Sequence, residues 1–307
     1  MNHKWQLAWL LVASCFFYAF LIPAYLLVLF LIIGIDYMAG RLIEQAKGNS
    51  RKFFLFISIF SNLSILAVFK YHNFFVENIN SISGHFSHST QLFSYWYWAL
   101  PVGLSFHTFQ AMSYTIEVYR GNQKAEKNLN IYALYVMFYP QLVAGPIERP
   151  QNLLPQFHQT HRINYIGIIA GLKYMLRGFF MKVVVADRLA IYVDYVFRNA
   201  SVHSRLALIT ATFFYSFQIY CDFAGYSLIA LGTAKTLGFN LSVNFKQPYL
   251  ASSARDFWRR WHITLSQWFR DYVYFPLGGD RVRLTRYIFN IIVVFILSGL
   301  WHGANWT

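Results

Sequence analysis

The chain has 307 residues, of which 57% are hydrophobic, 20% aromatic and only 12% charged. That charged share is about half of what a soluble domain carries, too little to cover the surface of a water-soluble protein of this length. The formal net charge of +14 does not make the chain a nucleic-acid binder, because its basic residues gather in short connecting segments that flank apolar runs.

Trp5 to Ile35 has no charged residue and is divided by Pro23, so it reads as two helices or one long bent one. It is too long for the apolar core of a secretory signal and lacks a small-residue cleavage site, so it does not read as a removable leader. Further uncharged stretches cover 53–69, 91–116, 128–147, 206–221 and 287–307. A membrane-crossing helix needs about 20 mostly apolar residues, and most of these stretches qualify, the shorter ones reading as buried or re-entrant. The predicted fold class is therefore an all-α integral membrane protein, a polytopic helical bundle. Without internal repeats or a linker, residues 1–307 read as a single membrane domain. Cys15 and Cys221 both lie in apolar segments, which suggests neither a disulfide framework nor a cysteine metal site.

Basic residues cluster at 41–52, 120–127 and 255–286, whereas 71–95 contains no Lys or Arg. The positive-inside rule places the first three in the cytoplasm, where they can meet anionic membrane lipids, and the last outside. Crossings at 53–69 and 96–116 would connect them.

Pro140, Pro146, Pro150 and Pro155 crowd one segment. Proline removes a donor and disfavours helix before it, so this segment reads as a broken, re-entrant piece or an interfacial loop. Residues 165–185 are apolar but interrupted by Lys173, Arg177 and Lys182, as in an interfacial or bundle-buried helix with snorkelling basic ends. Asp222 lies in a long apolar stretch, where a structural ion pair and a role at a site both remain open.

Ser253 followed by Asp256 has the form of a capping box and starts a helix. Continued through the segment, that helix puts Phe257, Trp261 and Leu265 on one stripe and Trp258, His262, Ser266 and Phe269 on the next. A membrane-surface anchor explains the Trp and Arg residues here, but does not require an imidazole. The last uncharged run carries His302, sixteen residues past Arg286 and so about 24 Å along a helix from that interface. A titratable group that deep is a functional candidate, and imidazole suits proton transfer near neutral pH. The competing reading is a packing histidine. No second His, Cys or carboxylate stands at metal-ligand spacing beside either His262 or His302.

Several segments resemble the membrane-bound O-acyltransferase (MBOAT) superfamily, in the bacterial branch typified by the alginate O-acetylation membrane protein. They are Phe106 to Tyr114, Tyr139 to Pro150, Tyr220 to Ser227, Asn244 to Tyr249, Asp256 to Asp280, and Trp301-His302-Gly303. Each is weak alone, but their order covers nearly the whole chain. The run Pro276-Leu277-Gly278-Gly279 is more similar to the polysaccharide-acetylation branch than to the teichoic-acid D-alanylation branch.

The resemblance implies a bundle around a tunnel in a bacterial inner (plasma) membrane, with His302 as the catalytic histidine and His262 as the second active-site position. His302 would act as general base on an attacking hydroxyl, and His262 would hydrogen-bond the thioester carbonyl or bind substrate. Asp222, Trp261, Ser266 and Asn305 are the candidate substrate contacts. His107 recurs in a family motif and reads as packing. No bound cofactor is implied. The acyl donor is expected to be acetyl-CoA or another acyl thioester from the cytoplasm. The acceptor is expected to be an exported polysaccharide or a periplasmic SGNH-type acetyltransferase partner. Members of this branch usually continue for further helices after Trp-His-Gly, so the chain reads as C-terminally incomplete. A transporter of a small acylated metabolite and a non-catalytic scaffold of a polysaccharide export complex remain the alternatives.

Overall fold

A computed structural model describes residues 2–20, 22–86, 92–143, 145–162 and 164–303. Within them the chain is helical without strands. Pro23 falls in the break between α1 (His3–Ala19) and α2 (Tyr25–Gln45), so the first apolar run is two helices. α3 spans Asn49–Phe86 and would be about 57 Å long at 1.5 Å per residue, nearly twice the ~30 Å hydrocarbon core. The segment expected to be an exterior loop thus begins as a continuation of the crossing helix. The stretch 91–116 also departs from expectation. Residues 92–103 are irregular where described, and α4 begins only at Leu104 and ends at Arg120. Gly103, at φ +73°, allows the chain to turn there, and a Cβ on it would meet the Leu142 carbonyl at 2.2 Å.

α4 is central. Its residues from Leu104 to Val118 are almost all buried, including the polar His107, Thr108, Gln110, Ser113, Thr115 and Glu117. α5 (Leu129–Met137) packs beside it, its Tyr132 and Tyr135 fully enclosed. His107 hydrogen-bonds through Nδ1 to the Val136 carbonyl at 3.1 Å and meets Tyr18 edge-on, a packing arrangement. The proline-rich segment is broken and buried: a short turn at Tyr139–Gln141, irregular chain, then α6 (Pro150–Phe157). Its Glu148 is completely buried and accepts from the Ser242 backbone and from Asn152 and Ser242 side chains.

α7 (Tyr165–Phe179) runs into a π-helical turn at Phe180–Ala186, then α8 (Asp187–Arg198). It packs antiparallel on α9 (Arg205–Thr236), Gly171 opposite Gly232 and Gly178 opposite Gly225. α10 (Ala254–Arg260), α11 (Ile263–Phe269) with a π-helical turn at Arg270–Tyr274, and α12 (Leu284–His302) complete the bundle. Among the described residues four helices are long and apolar enough to cross a membrane: Tyr25–Gln45, Asn49–Gly84, Arg205–Thr236 and Leu284–His302.

Candidate active site

The site is assembled on α4 by a stack of three rings. Phe109 of α4 lies parallel to Trp268 of α11 at 3.9 Å and near-parallel to Trp301 of α12 at 5.2 Å. Each indole also donates to α4: Trp268 Nε1 to the Phe109 carbonyl at 3.0 Å and Ser113 Oγ at 2.9 Å, Trp301 Nε1 to the Ser105 carbonyl at 3.4 Å. Aromatic stacking and satisfied indole donors fix both geometry and register. His262 stands at the start of α11 and His302 directly after Trp301, so the stack brings the two imidazoles into one cleft of about 280 Å³.

The α12 end is held from α3. Helix C-termini leave carbonyls without intrahelical partners, and here Lys70 Nζ donates to the Trp301 carbonyl while Tyr71 OH donates to the Leu300 carbonyl at 2.6 Å. The Lys70 ammonium also sits 5.4 Å from the Trp301 ring centroid, a cation where the helix dipole favours one. His302 is exposed and its Nδ1 pairs with the Ser298 carbonyl at 2.7 Å. A carbonyl only accepts, so Nδ1 carries the proton, and in the neutral ring Nε2 then keeps the lone pair, the tautomer a general base requires.

His262 is built differently. The expected cap forms, Ser253 Oγ accepting from the Asp256 N–H at 3.1 Å, while the Asp256 carboxylate reaches back to the Ser252 N–H at 3.2 Å rather than to that of Ser253. The helix it starts nevertheless ends at Arg260, and His262 adopts a left-handed backbone, φ +41° and ψ +56°. The continuous helix expected through His262 is thus corrected to two short helices joined at a bend. Only a few per cent of non-glycine residues take positive φ, and such strain concentrates at functional sites. His262 is 4% exposed, edge-on to Phe223 at 4.6 Å and close to Phe106 and Trp301. Its buried Nε2 has no hydrogen-bond partner. Burial, reinforced by the neighbouring His302, holds its imidazole well below the usual range, at about 3, so the ring is neutral near pH 7. A neutral imidazole can donate or accept one hydrogen bond to a ligand without desolvating a charge.

Trp261 and Ser266 both line the cleft, as do Trp258, Phe269 and Phe295. All members of the two stripes read from the sequence except Phe257 are therefore gathered at one place, although the helix proposed to carry them is broken. Asp222 does not line it. Its carboxylate pairs with Lys182 at 2.6 Å, and Lys182 also pairs with Asp187 at 2.7 Å, so the ion-pair alternative is the one formed. Asn305 lies outside the described residues. Sequence reasoning missed Lys70, whose signal was a lone lysine closing the apolar run 53–69. It also missed Asp36, fully buried on α2, whose carboxylate accepts from Ser58 Oγ at 2.5 Å and Asn62 Nδ2 at 2.7 Å.

The chain is similar to several known proteins. A peptidoglycan O-acetyltransferase of Helicobacter pylori is 38% identical over 97% of the chain and 61% of its own length. A probable alginate O-acetylase AlgI of Pseudomonas aeruginosa is 39% identical over 97% of the chain and 57% of its own length. A teichoic acid D-alanyltransferase of Bacillus subtilis is 27% identical over 66% of the chain and 53% of its own length. The chain thus spans about 60% of the length of the first two relatives. The profile of the MBOAT, membrane-bound O-acyltransferase family, matches residues 52–307, which include all but the first three residues of α3, the whole of α4 and both cleft histidines. The chain belongs to the membrane-bound O-acyltransferase family.

Proposed function

We propose that the chain is the histidine-bearing part of an O-acyltransferase that supplies acetyl or another short acyl group for O-acetylation of an exported polysaccharide. The carrying observation is the single cleft that holds a proton-accepting Nε2 on His302 and an unpartnered Nε2 on neutral His262. His302 removes the proton of the attacking hydroxyl as that oxygen attacks the acyl carbonyl. His262 donates a hydrogen bond to the carbonyl oxygen as it gains charge. The tetrahedral species then collapses, the thiolate leaves, and the proton held by His302 neutralises it. Trp261 and Ser266 contact the substrates from the cleft wall.

The donor is acetyl-CoA or another acyl thioester from the cytoplasm, drawn by the basic segments 41–52, 120–127 and 255–286. The acceptor is the polymer itself or a periplasmic SGNH-type acetyltransferase. The protein is multi-pass in a bacterial inner membrane. The names of the relatives support this reading, one acting on peptidoglycan and another on alginate.

The test is complementation of a gene deletion, with ester-linked acyl groups on the exported polymer quantified. Wild type should restore the esters, and His302→Ala should restore none at equal membrane abundance. Restoration by His302→Ala removes that residue as the base. Loss of polymer with normal ester content in the remainder favours a scaffold, and unchanged esters with altered uptake of a small metabolite favours a transporter.

A further inference from the structure

Asn244 lies outside the cleft, is 1% exposed and holds the backbone on the far side of His262. In an uninterrupted helix the N–H groups of Ile263 and Thr264 would bond the carbonyls of Arg259 and Arg260. Here the Ile263 N–H donates to the Asn244 carbonyl at 2.9 Å and the Thr264 N–H to Asn244 Oδ1 at 3.3 Å, while the Arg260 carbonyl accepts from the Lys246 N–H at 2.9 Å. A residue from another segment therefore satisfies the orphan donors at the start of α11. His262, which occupies the capping position, makes no side-chain cap bond.

We propose that Asn244 is a positioning residue for acyl transfer, capping α11 from outside and so locking His262 in the left-handed bend that presents its ring to the cleft. Its role in catalysis rests on the function proposed above; its hold on His262 does not. Asn244 Oδ1 also accepts from Thr264 Oγ1 at 2.7 Å, Thr264 Oγ1 accepts from the Ile147 N–H at 3.0 Å, and Asn244 Nδ2 donates to Ser227 Oγ at 3.4 Å. All four residues are buried, none more than 4% exposed. The network ties the proline-rich segment, α9 and the 244–246 strip to the base of His262. Asparagine suits the position because one oxygen accepts twice while the amide donates to Ser227. An apolar side chain would strand buried donors, and glutamine would move the oxygen outward by one methylene.

The test is diethyl pyrocarbonate modification of the full chain in detergent, with rates at His262 and at exposed His302 read by peptide mass spectrometry. Asn244→Ala should raise the His262 rate relative to His302 by about five- to tenfold, the opening expected when a cap is lost. Asn244→Asp keeps the acceptor and should stay within about twofold of wild type. With an acyl thioester and acceptor supplied, Asn244→Ala should lower kcat about tenfold or more at little-changed KM, as misplacement of a reacting group does. An unchanged His262 rate in Asn244→Ala overturns the proposal, as does an Asp variant that modifies as fast as the Ala variant. If Asn244→Ala does not purify as a single species, Asn244→Gln keeps the amide but moves its oxygen one methylene away from the Thr264 N–H it caps. A faster His262 rate there supports the proposal, and a wild-type rate overturns it. If no protein, wild type included, transfers acyl groups, the functional reading fails while the modification rates still decide Asn244.

Discussion

His262 and His302 differ in what surrounds them, and the roles proposed for them rest on that difference. His302 sits at an exposed helix end with its tautomer set by Ser298, whereas His262 is enclosed by Phe223, Phe106 and Trp301. His262 lies in the bend between α10 and α11, outside the four candidate spans. Its folded-state value of about 3 lies below the unfolded imidazole value of about 6.5. Between those limits the unfolded chain binds the proton and the folded one does not, so stability falls as pH falls through about 6.5 towards 3. His262→Gln cannot take up that proton. Wild type should therefore lose more thermal stability than His262→Gln on acidification from about pH 7 to 5, read as the melting midpoint in detergent. Equal losses would show that His262 does not stay neutral in the fold.

The α7–α9 pair shows how an element is fixed without side chains. Gly171, Gly178, Gly225 and Gly232 recur at intervals of seven on each helix, and a Cβ at any of them would come within 2.8 Å of a backbone atom opposite. Close backbone approach between small residues is the usual means of helix association in lipid, where burial of apolar surface gives no drive. The Lys182–Asp222 ion pair lies on the same contact. Gly178→Leu should therefore separate the helices and abolish a monodisperse peak in size-exclusion chromatography. Gly34→Leu, with nothing within 4 Å of a Cβ, should change stability by less than about 0.5 kcal/mol. Equal behaviour of the two variants would remove close packing as what holds α7 to α9.

Across the whole molecule, orientation decides which compartment would supply the proposed donor. α3 joins the basic segment 41–52 to the segment 71–95, which has no Lys or Arg, along one helix. The 19 residues of α12 run from Leu284 to His302, so His302 lies about 28 Å along the helix from its start, close to one hydrocarbon thickness. Single cysteines at Asn49, Gly84 and Asn122, with Cys15 and Cys221 replaced, report this orientation. Only the Gly84 variant should react with an impermeant thiol reagent in intact cells. Reaction at Asn49 or Asn122 would invert the orientation and put donor entry on the other face.

Composition alone determined that this chain is a membrane-embedded helical bundle, because 12% charged residues cannot solvate its surface. The single helix leading from Arg286 to His302 followed from the uncharged run, and the capping residue Ser253 marked the start of α10. The bend at His262 was not legible. Arg259 to Ile263 contains neither Gly nor Pro, and local spacing favours a continuous helix through it. The helix opens because Asn244 and Lys246, distant in sequence, compete successfully for the backbone groups of Ile263, Thr264 and Arg260. Nor could spacing show that Phe109 would be clasped by Trp268 and Trp301. Residues 159 and 192 positions apart meet only when α4 is buried between two helices, and that packing, not any local pattern, places the two imidazoles in one cleft.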